Sequence, residues 1–316
     1  MCLIWACTKY LARRNPKIFV RISHPTAVLF VIVTTIFFVV LQMFYVVPQL
    51  FDVQGFMYKL GWLVAIFITY NIFGNMLACH ITSTSVESLP KDRQIPEPEE
   101  EHQWHYCDVC EKLMPPRSWH CILCKCCILK RDRHCIFTAS CVGHNNQRYF
   151  FWFTLFMALG TGVALATHII ATLKYFSYSD LIFLNIPRDN LPPFWLVITL
   201  ILNTYVFAAP VSSVLMQLSV LKNNGTLHKF YSDTYDLGLW ENFKLILGGK
   251  GFWTFLSPTV KSPLPHDGAQ WKIKRYDISK FKNFNYIETD MIYHLLYFNH
   301  SVQHHSPKLQ FLRVSD

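Results

Sequence analysis

Four long stretches of this chain carry no charged residue, and they constrain its fold more than any other feature: Thr26 to Val47, Leu60 to Cys79, Phe150 to Leu173 and Phe194 to Leu221. A helix rising 1.5 Å per residue needs about 20 mainly apolar residues to cross roughly 30 Å of hydrocarbon, so each run is long enough. A soluble protein has little room to bury four such runs. The pattern therefore predicts an all-α polytopic membrane protein with transmembrane helices at 26–47, 60–79, 150–173 and 194–221. Pro25 and Pro48 bracket the first run, Lys59 can snorkel at the start of the second, and Pro210 is expected to kink the fourth. Only 16% of the 316 residues are charged and 52% are hydrophobic, against about 25% charged in an ordinary soluble domain. That balance excludes a disordered chain and argues against a soluble two-domain enzyme.

Charge placement sets the expected topology. Lys9, Arg13, Arg14, Lys17 and Arg21 precede the first run with no acid among them, nine Lys or Arg lie between the second and third runs, and twelve follow Leu221. The short connections 48–59 and 174–193 hold only Lys59, Lys174 and Arg188. The positive-inside rule then places the N-terminus 1–25, the segment 80–149 and the C-terminal region 222–316 on the cytosolic side. No cleavable signal peptide is visible, so the first helix is expected to act as an uncleaved anchor. The net charge of +9 fits a membrane surface better than nucleic acid in so apolar a chain. Asn224-Gly225-Thr226 and Asn299-His300-Ser301 match the glycosylation pattern by chance on this topology, since both fall on the cytosolic side. Residues 81–101, with Pro90, Pro96, Pro98 and the run Glu99 to Glu101, read as a solvated linker. No internal repeat is apparent beyond the paired helices.

The chemistry concentrates between the second and third helices. Eight of the eleven cysteines fall within residues 107–141: Cys107-x-x-Cys110, His120-Cys121-x-x-Cys124, Cys126-Cys127, His134-Cys135 and Cys141. Clustered Cys with His points to metal in a reducing compartment rather than to disulfides. Zinc suits thiolates and imidazoles and takes four ligands in a structural site, so the segment supplies two Cys₃His sets. Iron–sulfur clusters prefer four Cys, palmitoylated cysteines would sit nearer a helix end, and the spacing does not fit a RING. Two zinc sites use six cysteines, leaving Cys126 and Cys135 over on the simplest pairing. Cys135 follows a candidate ligand His and has cationic neighbours, Arg131 and Arg133, that favour a nucleophilic thiolate. Spacing alone does not choose between the two.

These residues resemble the DHHC-type protein S-acyltransferases, or palmitoyltransferases. The likeness runs from Cys107 to Phe150 through Pro115-Pro116-Arg117-Ser118-x-His120-Cys121, Cys124-x-x-Cys127, Asp132-x-His134-Cys135 and Cys141-x-Gly143-x-x-Asn146. Tyr235-Asp236-Leu237-Gly238, Asn242 and Gly248 resemble the family's C-terminal motif. The resemblance implies a cytosolic two-zinc module (core 107–150) between helices two and three. Cys107, Cys110, His120 and Cys127 would hold one structural zinc, and Cys121, Cys124, His134 and Cys141 the other. Cys135 would be the S-acyl nucleophile, with Asp132 supporting it. The implied co-substrate is acyl-CoA, palmitoyl-CoA above all. The implied partners are the lipid bilayer and membrane-associated proteins bearing the acceptor cysteine, with a homo-oligomer allowed and no nucleic acid. The implied compartment is the endoplasmic reticulum or Golgi.

The sequence also departs from the family. Arg133 replaces the first His of Asp-His-His-Cys, the family's base toward the Cys, and a guanidinium cannot take up a proton. It can ion-pair with Asp132 and hold a thiolate electrostatically. Ile136-Phe137 replaces Pro-Trp, Ser140 replaces Asn, and only Gly225-Thr226 remains of the motif after helix four. Two functions follow: an S-acyltransferase working through an acyl-Cys135 intermediate, or a catalytically weak relative acting as a membrane scaffold or lipid- and partner-binding protein. Elsewhere, His168 reads as a hydrogen-bonded packing residue or a cavity-facing polar group rather than a metal ligand, Phe150 to Phe153 as an interfacial aromatic anchor, Cys2 and Cys7 as stray or acylated, and His304-His305 as solvated.

Overall fold

The computed structural model describes residues 14–98, 100–175, 192–228 and 233–272, all within one compact unit. Four helices are long and apolar enough to cross a membrane: α1 (Pro16–Leu41), α2 (Phe56–Ile81), α3 (Gln147–Leu173) and α4 (Phe194–Lys222). α1 starts well before the apolar run and passes through Pro25 instead of beginning after it. Proline's missing N–H removes one i→i−4 bond, a loss that a long helix absorbs. Beyond Leu41 the helix loosens into a π-helical turn (Gln42–Val46) and a 3₁₀ turn (Val47–Gln49). α4 continues through Pro210 to Lys222.

α3 is the central helix and packs on both α2 and α4. Far from the cysteines, a polar chain ties it to its neighbours. Gln42 Nε2 donates to Ala164 O (3.1 Å) and lies 2.7 Å from His168 Nδ1. His168 Nε2 lies 3.0 Å from Thr199 Oγ1, and Thr167 donates to Gln42 Oε1 (2.8 Å). No water reaches such groups in hydrocarbon, so each must find its partner in the protein, and the π turn places Gln42 to provide one.

Between α2 and α3 lie short 3₁₀ turns and then three antiparallel hairpins: β1 (His105–Cys107) with β2 (Lys112–Met114), β3 (Trp119–Cys121) with β4 (Cys126–Ile128), and β5 (Arg133–Cys135) with β6 (Ser140–Val142). The class stays helical, and these small strands are added to it. The first half of the segment expected to be a solvated linker folds onto the hairpins. Val86 and Leu89 are buried against Cys107, Met114 and Cys127, and Leu129 N donates to Thr84 O. Gly143 is required here, because a Cβ would come within 2.5 Å of Leu129 O.

After α4, a short helix α5 (Leu239–Leu247) is stapled back onto it, since Asn242 Nδ2 donates to Lys222 O (2.9 Å) and Asp236 Oδ1 (2.8 Å). The aromatic run Phe150 to Phe153 is not an anchor exposed at the interface. All four side chains are at most 5% exposed, covered by α2, by the third hairpin and by the chain that follows α5. Asn224 and Thr226 are buried as well, which leaves no room for a glycan on Asn224. Cys2, Cys7, Asn299-His300-Ser301 and His304-His305 lie outside the described residues.

Candidate active site

Each hairpin is built around the same turn. Cys107, Cys121 and Cys135 open the three turns at a constant interval of 14 residues. A residue with positive φ closes each turn: Glu111 (52°), Lys125 (56°) and Ala139 (50°). Left-handed backbone costs a non-glycine residue about 1–2 kcal/mol, so something must hold these turns in place. In the first two, the backbone N–H of Glu111 and Lys125 donates to Cys107 O (2.8 Å) and Cys121 O (2.7 Å). This is an internal repeat, missed at the sequence level because only the cysteines mark it and the strands are three residues long.

The repeat generates interleaved ligand sets. Cys107 and Cys110 from the first hairpin meet His120 and Cys127, which face each other across the second. Cys121 and Cys124 from the second hairpin meet His134 and Cys141, which face each other across the third. Within each set the ligand atoms all lie within 4.8 Å of one another. His134 Nδ1 sits 3.7, 3.3 and 3.5 Å from the sulfurs of Cys121, Cys124 and Cys141. His120 Nδ1 sits 3.3 Å from Cys110 Sγ and 4.0 Å from Cys127 Sγ. A tetrahedron with Zn–S near 2.3 Å and Zn–N near 2.0 Å has edges of about 3.5–3.8 Å, so the residues fit zinc. The donor chemistry agrees. The hydrogen bond to the Cys121 sulfur pushes the Cys124 thiol up to about 12, and hydrogen bonds to Cys121 and Cys124 push Cys141 higher. Such thiols become thiolates together only around a cation.

The third turn breaks the pattern. Its second cysteine position holds Thr138, so Cys135 has the backbone setting of a ligand and belongs to neither set. Cys135 is 7% exposed and packs with Cys79 at the end of α2 and with Phe150 and Phe151 of α3. The thiol therefore sits where the hairpins meet the helices. His80 Nδ1 lies 2.9 Å from Thr138 O, and Ser140 Oγ donates to Cys79 O (3.4 Å), fixing the turn to α2. The other leftover cysteine, Cys126, lies on β4 in the second hairpin.

Asp132 is buried and anchored. Its Oδ1 accepts from Leu227 N (2.8 Å), just past α4, and its Oδ2 pairs with Arg133 Nε at 2.9 Å. The Arg133 guanidinium lies 5.2 Å from the Phe150 ring centre and approaches Met216 Sδ, while its Nη2 is buried without a partner. A helix reaches the module from the far side as well: His24 Nε2 of α1 lies 2.9 Å from His134 Nε2, with the rings stacked. No motif or spacing points to this contact, which joins residues 110 positions apart.

A second cluster locks the module to the C-terminal chain. Arg117 donates to Asn224 O past the end of α4, and its guanidinium stacks 4.5 Å from Tyr235 and 4.1 Å from Trp271. Lys130 Nζ lies 5.5 Å from Trp271. His144 Nε2 lies 2.9 Å from His266 O, and the two rings stack beside Trp271. Burial brings Arg117 down to about 10, His144 to about 3 and His266 to about 4, and holds Lys130 well below its usual range.

Four long apolar helices with a two-site Cys/His module above the second and third define a class of membrane protein. Residues 100–234 match the DHHC palmitoyltransferase family, and over this segment the chain is similar to the DHHC-type proteins. It is also 31% identical over 185 residues to a zebrafish (Danio rerio) protein described as "Probable palmitoyltransferase ZDHHC24", across 54% of this chain. The matched region spans 62% of that relative's length.

Proposed function

We propose that the protein is an S-acyltransferase that moves palmitoyl or a similar chain from acyl-CoA to protein cysteines through Cys135. The observation that carries this is the third turn: two hairpins commit their first cysteine to a metal set, and the third leaves its own free at the top of the helices. The Cys135 thiolate attacks the thioester carbonyl, the bond from that carbon to the CoA sulfur breaks, and CoA leaves as its thiolate. The thiolate of an acceptor cysteine then attacks the acyl-Cys135 thioester and restores Cys135. Two bonds form and two break, as expected of covalent catalysis with ping-pong kinetics.

The chain's own residues set the geometry. Cys107, Cys110, His120 and Cys127 would hold one zinc, and Cys121, Cys124, His134 and Cys141 the other; bound there, zinc supplies structural order. Asp132 orients Arg133, which holds negative charge near Cys135 but takes no proton, so each thiol must lose its proton to water or buffer. The reading places the module and both termini on the cytosolic side, in the endoplasmic reticulum or Golgi. Acceptors would be membrane-associated proteins.

A second reading, a membrane scaffold with little or no catalysis, is favoured by one specific feature: Arg133 is engaged by Asp132 where a base would be needed. The deciding experiment is hydroxylamine-sensitive labelling of purified, zinc-loaded protein with a tagged palmitoyl-CoA, comparing wild type with Cys135→Ala. Label lost in the variant supports the enzyme. No label in either would establish the scaffold.

A further inference from the structure

Beyond α5, residues 251–260 form an uncharged segment between Lys250 and Lys261, both exposed. Its contacts run down the outside of the helices. Phe255 stacks on Phe156 of α3 at 4.7 Å and meets Phe67 of α2 at 5.9 Å. Trp152 Nε1 donates to Thr254 Oγ1 (2.8 Å), and Tyr70 OH lies 2.8 Å from Ser257 Oγ. Pro258 presses on Gly74 so closely that a Cβ there would lie 2.6 Å from the proline ring.

Depth follows from the helix rise. α2 ends at Ile81 and α3 begins at Gln147, on the side where His80, Arg148 and Lys222 mark the polar boundary. Gly74, Tyr70 and Phe67 then lie about 10, 16 and 21 Å below the end of α2, and Phe156 about 13 Å below the start of α3. The segment that touches them reaches the same depth. Its outer side chains are apolar and uncovered: Phe252 is 46% exposed, Trp253 70% and Leu256 52%. Its polar groups are met internally, as irregular backbone at that depth requires. Trp253 N donates to Lys250 O and Leu256 N to Trp253 O, Thr254 Oγ1 donates to Gly251 O, and Tyr70, Ser257 and Thr259 form a hydroxyl chain.

We infer that residues 251–260 re-enter the lipid layer on the module side as a strap across α2 and α3. Phe252, Trp253 and Leu256 face phospholipid acyl chains, and Lys250 and Lys261 reach the headgroup phosphates. The inference rests on reading α1 to α4 as membrane spans.

The test places a photoreactive benzophenone amino acid at Trp253, at Leu256, at Leu63 on the exposed face of α2 and at Tyr106 on the module. The full chain is reconstituted in phosphatidylcholine vesicles, irradiated, and analysed for phospholipid adducts by mass spectrometry. Adduct yields at Trp253 and Leu256 should be comparable to that at Leu63 and at least about tenfold above that at Tyr106. An adduct at Leu63 with none at Trp253 and Leu256 would overturn the strap alone. No adduct at Leu63 would remove the membrane reading and the strap with it.

Discussion

At the scale of single residues, Arg133 and His24 make separable predictions. Arg133 is held by Asp132 at 2.9 Å. Arg133→His should put an acceptor where the guanidinium now lies and raise the rate of acyl-Cys135 formation by up to about 10²-fold, the lower end of what general-base catalysis contributes. The rate is read by single-turnover labelling, and an unchanged rate would show that the thiolate arises without a neighbouring base. His24 acts at one remove. With His134 Nδ1 committed to a metal among the three sulfurs, its Nε2, 2.9 Å from His24 Nε2, would carry the proton and donate to that ring. Partners of this kind are worth about 10- to 100-fold in metal affinity. His24→Ala should therefore weaken zinc at the Cys121 set by that factor in a chelator competition, leave the Cys107 set unchanged, and be partly rescued by His24→Gln. Equal weakening of both sets would mean that His24 only supports the fold.

At the scale of elements, the helices and the hairpins obey different physics and were unequally legible. Length and absence of charge are enough to find α1 to α4, because the bilayer leaves few alternatives. The hairpins gave no such signal: three-residue strands show no alternation, and only the cysteine spacing betrayed the ligands. The 14-residue repeat was readable in principle from Cys107, Cys121 and Cys135, but needed Thr138 to be seen as standing in for the second cysteine of a third knuckle. Burial of Phe150 to Phe153 was not readable, since it depends on the chain after α5 folding back over them. That returning chain carries the Trp271 cluster, and its pH response has a definite sign. His144 and His266 are held below their ordinary values, so between about pH 6.5 and pH 4 the unfolded chain binds more protons than the folded one, and stability falls as pH falls. His144 alone contributes up to about 1.4 kcal/mol per pH unit in that window. Amide exchange at Gly268 and Ala269 should accelerate as pH drops from 7 to 5, after correction for intrinsic rates, and His144→Gln should flatten the dependence.

At the scale of the whole molecule, two sources of order meet at Cys135. The helices are stabilised by lipid and by their own hydrogen bonds, and neither depends on metal. The module has no comparable core: its buried clusters are small, and Cys107, Cys127, Cys121 and Cys141 are themselves members of them. Metal held by the two Cys/His sets would supply most of its order, as it does in small zinc domains. Because Asp132 and Arg117 bind the chain just past the end of α4, the module is docked on the helices without being built by them. Chelation should therefore remove about two zinc per chain and abolish acyl labelling of Cys135, while helical circular dichroism is largely kept. Amide protection should vanish over the strands from His105 to Val142 and persist in α3. Cys121→Ala should reproduce the loss at the second set, whereas Cys135→Ala should lose the label with zinc and protection intact. If chelation also melted α3, the buried aromatics at its head would have to depend on the hairpins for their order. The nucleophile would then belong to one cooperative unit, and Cys121→Ala would unfold the helices as well.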